Sequence, residues 1–190
     1  MNRRLFLTGL ATTLALGGCM HPEYRTDYLD AAVTGSIGGQ YALASGDRLR
    51  VIVFGQDNLS NLYTVDGAGR IVMPLIGVVP VGGATTLQAA RAIEARLREG
   101  FVREPHVTVE IEVYRPFFIL GEVTTSGQYP YVNGMTVETA VAIAAGFGPR
   151  AARDYAVVTR QAREGLVSGI VPMTYPVRPG DTIVIKERWF

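Results

Sequence analysis

The stretches YALASGDRL (residues 41–49) and YPVRPGDTI (residues 175–183) decide the fold of this chain, because the second repeats the pattern of the first. In each, a tyrosine precedes a Gly-Asp pair, which is typical of a turn that leads into an apolar strand. GATTL (residues 83–87) and GMTVE (residues 134–138) form a second pair, in which a threonine can cap a helix. Recurrent turn chemistry and a true duplication both explain the repetition. Either way, the chain is predicted to form two small α+β modules.

The first module opens with strands. Residues 49–54 alternate as a strand that follows the first Gly-Asp turn. Residues 62–65 and 70–73 flank DGAG (residues 66–69), which predicts a hairpin between them. Residues 74–80 predict a further short apolar strand bounded by prolines.

A helix and a strand complete this module. Thr85 and Gln88 form a possible capping box at the start of the helix, and Gly100 provides its stop. We expect the buried face of the helix to comprise Leu87, Ala90, Ile93 and Leu97. Residues 107–113 alternate strictly, which predicts a strand with one apolar and one polar face.

The second module repeats these parts in a different order. Residues 117–123 and 128–132 predict a hairpin. Residues 137–145 predict a short alanine-rich helix, and residues 155–160 and 182–185 predict strands.

The N-terminus resembles an export signal. Arg3 and Arg4 precede a short apolar run (residues 5–18) that ends at Cys19, and LGGC resembles the lipobox of bacterial lipoproteins. A buried helix and a membrane-spanning anchor are the alternatives, but a span needs about 20 apolar residues. We therefore expect a signal peptide at 1–18 and a lipidated N-terminus and tether at 19–38. The two arginines fit both the general and the twin-arginine export routes. Met20 does not resemble an inner-membrane retention signal, so we expect a lipid anchor in the outer membrane, facing the periplasm.

Composition excludes several classes of function. The 190 residues are 48% hydrophobic and 18% charged, which describes a globular protein. The formal net charge is +1 and there is no basic block, so no nucleic-acid partner is expected. Cys19 is the single cysteine, so lipidation would leave none for a disulfide, a thiol nucleophile or a zinc site.

The residues that carry catalysis are scarce. The two histidines are His21, in the tether, and His106, expected on the surface at the start of a strand. Glu110 and Glu112 share one strand face and allow the poorer hypothesis of a glycan hydrolase. A solvated face or a subunit contact explains the same pair, so we expect no enzyme, no catalytic residues, no cofactor and no metal.

Several stretches together resemble the polysaccharide biosynthesis/export family of outer-membrane lipoproteins, the Wza-like proteins of capsule and exopolysaccharide secretion. They are GDRLRV (46–51), MPLIG (73–77), FVREPHVTV (101–109), YRPFFILGEV (114–123) and GQYP (127–130). The resemblance implies a polysaccharide-export α/β domain at 39–115, followed by a β-grasp ligand-binding (SLBB) domain at 116–190. The expected fold class is therefore α+β.

The resemblance also implies partners and a mechanism. Relatives of this type form rings of identical subunits around a passage for the exported polysaccharide, and they work with an inner-membrane polysaccharide co-polymerase. Long members add further β-grasp modules and a C-terminal helix that forms the outer-membrane pore. This sequence resembles the short form with one SLBB domain, so we expect the pore to need another component.

Aromatic residues near the module boundary are the candidate binding site. Tyr114, Arg115, Tyr129 and Tyr131 combine rings with a guanidinium, which suits contact with saccharide or with a neighbouring subunit. An accessory saccharide- or partner-binding protein that encloses no passage is the alternative function.

Overall fold

The computed structural model describes residues 41–162 and 165–188, in which two consecutive parts of the sequence build two hydrophobic cores. The buried apolar residues of the first core lie between Leu43 and Val109, and those of the second lie between Phe117 and Ile185. The expected signal peptide, lipidated cysteine and tether lie outside the described residues.

A three-stranded antiparallel sheet forms one layer of the first domain. Its order is β2–β1–β5, with β1 at Arg48–Val53, β2 at Asn61–Thr64 and β5 at Val107–Val113. Buried and exposed residues alternate along β1, so the sheet has one buried and one exposed face: Leu49 and Val51 are buried, and Arg50 between them is exposed. The strands predicted at 49–54 and 107–113 are confirmed.

The hairpin predicted around residues 66–69 is wrong in its pairing. The turn itself forms, since the Asp66 N–H donates to the Arg70 carbonyl at 2.8 Å. The strands then diverge: β2 pairs with β1, while β3 (Arg70–Met73) pairs with β4 (Gly77–Pro80). The strand expected over 74–80 is thus shortened to β4, because its first residues make the turn between β3 and β4.

Helix α1 (Thr86–Arg98) packs against β5 and begins at the predicted capping box. The Thr85 hydroxyl accepts from the Gln88 N–H, and the Gln88 amide oxygen accepts from the Thr85 N–H. Leu87 is 57% exposed, so its assignment to the buried face is wrong. The buried helix residues are Ala89, Ala90, Ile93 and Leu97.

The second domain has a five-stranded mixed sheet of order β7–β6–β10–β8–β9. Its strands are β6 (Phe117–Gly121), β7 (Gly127–Tyr129), β8 (Tyr155–Ala162), β9 (Gly165–Pro172) and β10 (Thr182–Ile185). The central β10 is parallel to β6, and the other neighbouring pairs are antiparallel. β9 is a strand that the sequence reasoning missed.

Helix α2 (Val137–Ile143) covers one face of this sheet and completes the β-grasp arrangement. Thr136 caps it with a box to Thr139, as Thr85 caps α1. The opposite face carries a row of register partners, which are Leu120, Val184, Val157 and Ile170. This row is aliphatic across four strands and half-buried to exposed.

Two domains that combine single helices with sheets confirm the α+β fold class. Across residues 41–162 and 165–188, no helix is long and apolar enough to cross a membrane.

Candidate functional site

The two Gly-Asp turns predicted from the sequence have the same geometry. Gly46 and Gly180 both have positive φ values, 92° and 84°. Their N–H groups donate to carbonyls of a neighbouring segment, Val65 and Pro116, each at 3.0 Å. The aspartate that follows each glycine is fully buried. The resemblance between the two stretches is therefore a shared local structure.

Asp47 is the acceptor at the centre of the first turn. Its carboxylate accepts the Ala44 N–H at 2.8 Å and the Arg115 N–H at 3.0 Å. The Tyr41 hydroxyl also donates to it and lies 2.9 Å from each carboxylate oxygen. Burial, followed by the negative charge of Asp47, raises the pKa of Tyr41. The hydroxyl therefore stays protonated and remains a donor to the carboxylate. Because Arg115 lies in the segment between the two hydrophobic cores, this buried group ties the connection to the second domain onto the first domain.

Asp181 has the same position in the second turn and a different cationic partner. Arg160 donates through Nε at 2.9 Å and through Nη2 at 2.7 Å, a bidentate pair in which the arginine is 5% exposed. The Arg178 N–H, three residues before the aspartate, donates at 2.8 Å. Burial, with the nearby Arg160 charge, lowers the pKa of Arg178. This pair fixes the end of β8 against the turn that precedes β10.

Arg115 lies between the two turns. Its Nε donates to the Pro179 carbonyl at 2.9 Å. A Cβ added to Gly46 would lie 3.4 Å from the Arg115 Cβ, and one added to Gly180 would overlap its guanidinium. One side chain therefore packs on both glycines, and a Cβ at position 180 would require the Arg115 guanidinium to shift.

The candidate aromatic residues are only partly brought together. Tyr114 makes edge-on contacts with Tyr41, at 5.1 Å between ring centroids, and with Tyr131, at 5.4 Å. Burial raises the pKa of Tyr131. Tyr114, Arg115 and Tyr131 thus share the junction with Tyr41, which the sequence reasoning did not include.

Tyr129 lies apart from that cluster. Its ring stacks on Phe117 at 6.0 Å and its hydroxyl donates to the Thr125 carbonyl at 2.8 Å. It supports the β6–β7 hairpin. As contacts for saccharide or for another subunit, the four candidates remain a prediction.

The sequence contained a signal for the missed residues. Tyr41 and Asp47 recur as Tyr175 and Asp181 in the second stretch, and both aspartates are buried acceptors. A tyrosine and an aspartate that recur at the same spacing therefore indicate the groups that organise each turn.

The carboxylates considered for glycan cleavage lie on the exposed face of β5. Glu112 forms an ion pair with Arg50 at 2.7 Å, and Glu110 is exposed beside it. His106 is exposed immediately before β5. Within residues 41–162 and 165–188, no cluster of three or more histidine, cysteine, aspartate or glutamate side chains could hold a metal ion.

Comparison with known proteins identifies both domains. The polysaccharide biosynthesis/export protein family matches residues 36–112, and the SLBB domain family matches residues 116–171. The exopolysaccharide production protein ExoF of Rhizobium meliloti (strain 1021) is 35% identical over 133 residues, which are 61% of this chain and 32% of that protein.

The chain therefore belongs to the polysaccharide biosynthesis/export protein family, with an SLBB domain following the export domain. The matched region spans about a third of the curated relative.

Proposed function

We propose that this chain is a component of an apparatus that exports a capsular polysaccharide or exopolysaccharide, and that it forms part of the polymer's passage. The observation that carries the proposal is the direct succession of an export domain and an SLBB domain, held together through the buried Asp47. The name of the R. meliloti relative supports a role in exopolysaccharide production.

A passage requires several subunits, and we propose a ring of identical chains. The aliphatic row Leu120, Val184, Val157 and Ile170 supports this, because incompletely buried aliphatic side chains that continue across four strands are typical of interaction sites. The hydrogen bonds of Arg115 to Asp47 and Pro179 would help to hold both domains of each subunit at one angle to their neighbours. The partners proposed are the exported polymer and an inner-membrane co-polymerase.

We also propose that the chain is a lipoprotein on the periplasmic face of the outer membrane, attached through Cys19. Cys19→Ser should release the protein from the membrane fraction without changing its thermal midpoint. Attachment that persists in this variant would refute lipidation as the anchor.

The role is proposed to be non-enzymatic, as the family is in general. The mechanism would then be geometric. The wall of the passage would exclude competing contacts, and it would bind the polymer weakly enough for the polymer to move. Glu110→Gln combined with Glu112→Gln should leave the length of the exported polymer unchanged, and longer or uncleaved polymer would favour a hydrolase.

The decisive experiment measures both the mass of the protein assembly and the export of the polymer. The mature protein in detergent should give a discrete multiple of the monomer mass, and Val157→Arg should lower it. Deletion of the gene should abolish extracellular polymer, which the wild-type gene should restore and the Val157→Arg variant should not. A strictly monomeric protein, with and without the co-polymerase, would refute the ring and favour the accessory binding protein.

A further inference from the structure

A cleft of about 530 Å³ lies at the end of the three-stranded sheet, where β1 ends and β5 begins. It lies at the opposite end of β1 from Asp47, and the proposed function does not involve it. Its lining residues are Ile52, Phe54, Glu94, His106, Val107 and Thr108.

The sheet register places four of these side chains on one face. Ile52 is the register partner of Thr108, and the Phe54 N–H donates to the His106 carbonyl at 3.0 Å. Side chains of such cross-strand partners are about 5 Å apart. The cleft therefore has a floor of two rings, one aliphatic group and one hydroxyl.

Phe54 is 80% exposed, the largest exposed fraction among the large apolar side chains that the structure describes. An aromatic face left in water beside a concave surface is available to the apolar face of a ligand. Its exposure also means that the fold does not depend on it.

Glu94 supplies the polar edge of the cleft. It extends from α1 to the free edge of β5, where its Oε1 accepts the Val107 N–H at 3.0 Å. No residue among those described donates to its Oε2. This oxygen is thus a fixed acceptor beside the Phe54 ring, and the Thr108 hydroxyl adds a donor and a second acceptor.

A flat apolar ring bordered by fixed hydrogen-bonding groups matches a pyranose, which has a C–H face and hydroxyls around its rim. The volume lies within the range of roughly 300–1,000 Å³ typical of small-molecule sites. The lining contains a carboxylate and no lysine or arginine, which disfavours an acidic sugar. We infer that this cleft contacts a neutral sugar unit of the exported polymer. This inference rests on the proposed function and deepens it by placing a polymer contact on the export domain.

The test uses the purified full chain and cellotetraose, a neutral probe whose equatorial hydroxyls leave both ring faces apolar. Saturation transfer by NMR should mark the ring C–H protons of the sugar, with weak affinity. Phe54→Ala should weaken binding about tenfold. Phe101→Ala is the matched control, since Phe101 is 51% exposed and does not line the cleft.

Charge provides a second arm. Glu94→Gln keeps an acceptor for the Val107 N–H and removes the negative charge, so trigalacturonate should bind this variant more tightly than the wild type. Equal binding of trigalacturonate to both would overturn the preference for neutral sugars.

Two outcomes would overturn the cleft as a sugar site: no saturation transfer to cellotetraose, or equal transfer in wild type and Phe54→Ala. Loss of the oligomer in Phe54→Ala with sugar binding unchanged would assign Phe54 to a subunit contact instead. Failure of the site is distinguishable from failure of the proposed function. If the chain is required for export but does not bind cellotetraose, only the sugar site is refuted. If the chain binds cellotetraose but is dispensable for export, only the proposed function is refuted.

Discussion

The buried carboxylate of Asp47 is predicted to hold the two domains together. Asp47→Ala removes the acceptor of three donors, the Tyr41 hydroxyl and the Ala44 and Arg115 N–H groups. A hydrogen bond to a charged group contributes about 1.5–3 kcal/mol. Tyr41 and Arg115 are only half-buried, so water can reach their freed donors, and the losses are not additive. We therefore expect a loss of about 3–5 kcal/mol in the free energy of unfolding.

Asp66→Ala is the matched control for this change. The Asp66 carboxylate also accepts three hydrogen bonds, from Ala68 and Arg70, but its side chain is 38% exposed, whereas Asp47 is fully buried. The hydrogen bonds from these groups lower the pKa of the Asp66 carboxylate, but they compete directly with water. Its removal should reduce stability far less.

Urea unfolding followed by circular dichroism and by tyrosine fluorescence measures both variants. In Asp47→Ala the first domain should also begin to unfold separately from the second, which would split the transition. Asp47→Asn keeps the shape and one acceptor oxygen, so it should fall between the wild type and Asp47→Ala. Equal losses in Asp47→Ala and Asp66→Ala, with a single transition, would refute the role of Asp47 in the junction.

Three further predictions concern the two Gly-Asp turns. Gly180→Ala should lower stability by about 2 kcal/mol, because its φ is 84° and the new Cβ overlaps Arg115; a thermal midpoint equal to that of the wild type would contradict this. Arg160→Met leaves the Asp181 carboxylate buried without its cation and should cost about 3–5 kcal/mol in urea unfolding, whereas a loss below about 1 kcal/mol would show that the pair is dispensable. The raised pKa of Tyr41 means that above pH 10, its ordinary value, the unfolded chain loses a proton that the folded chain keeps. Stability should therefore be insensitive to this group below pH 10 and fall as the pH rises above it; Tyr41→Phe should flatten that fall, and an unchanged slope would exclude Tyr41 as its source.

Local chemistry in this sequence predicted local structure well. The capping residues Thr85 and Thr136 both form their boxes, and both Gly-Asp turns lead into strands. These features depend on residues within a few positions of one another, so the sequence contains all the interacting groups.

Pairing between distant segments was harder to predict. The turn at residues 66–69 forms, but β2 pairs with β1 and β3 pairs with β4, so the hairpin does not continue beyond the turn. Leu87 satisfies helical periodicity, yet α1 turns the two alanines at positions 89 and 90 toward β5 and leaves Leu87 at the rim. β9 was missed because Gly165 and Gly169 interrupt its apolar alternation, and its strand state depends on its ladder to β8.

The candidate site shows the same division. Tyr114, Arg115 and Tyr131 were predicted from clustering along the chain, and they do lie together. Asp47 is 68 positions from Arg115, so only the fold could place its carboxylate under that backbone N–H. Tyr129, close in sequence, lies apart because the β6–β7 hairpin directs its ring onto Phe117.

The way in which Arg115 is shared between two turns determines where a chimera of two relatives can be joined. A fusion made between 115 and 116, where the SLBB match begins, would set the Arg115 side chain of one parent against the Pro179–Gly180 surface of the other. A fusion made after Val113 keeps Arg115 with its own Pro179 and Gly180. Asp47 of the first parent then needs only a backbone N–H, which any residue except proline supplies. Of the positions between the two family matches, the end of β5 is therefore the one at which domain-exchange experiments on this family should be cut.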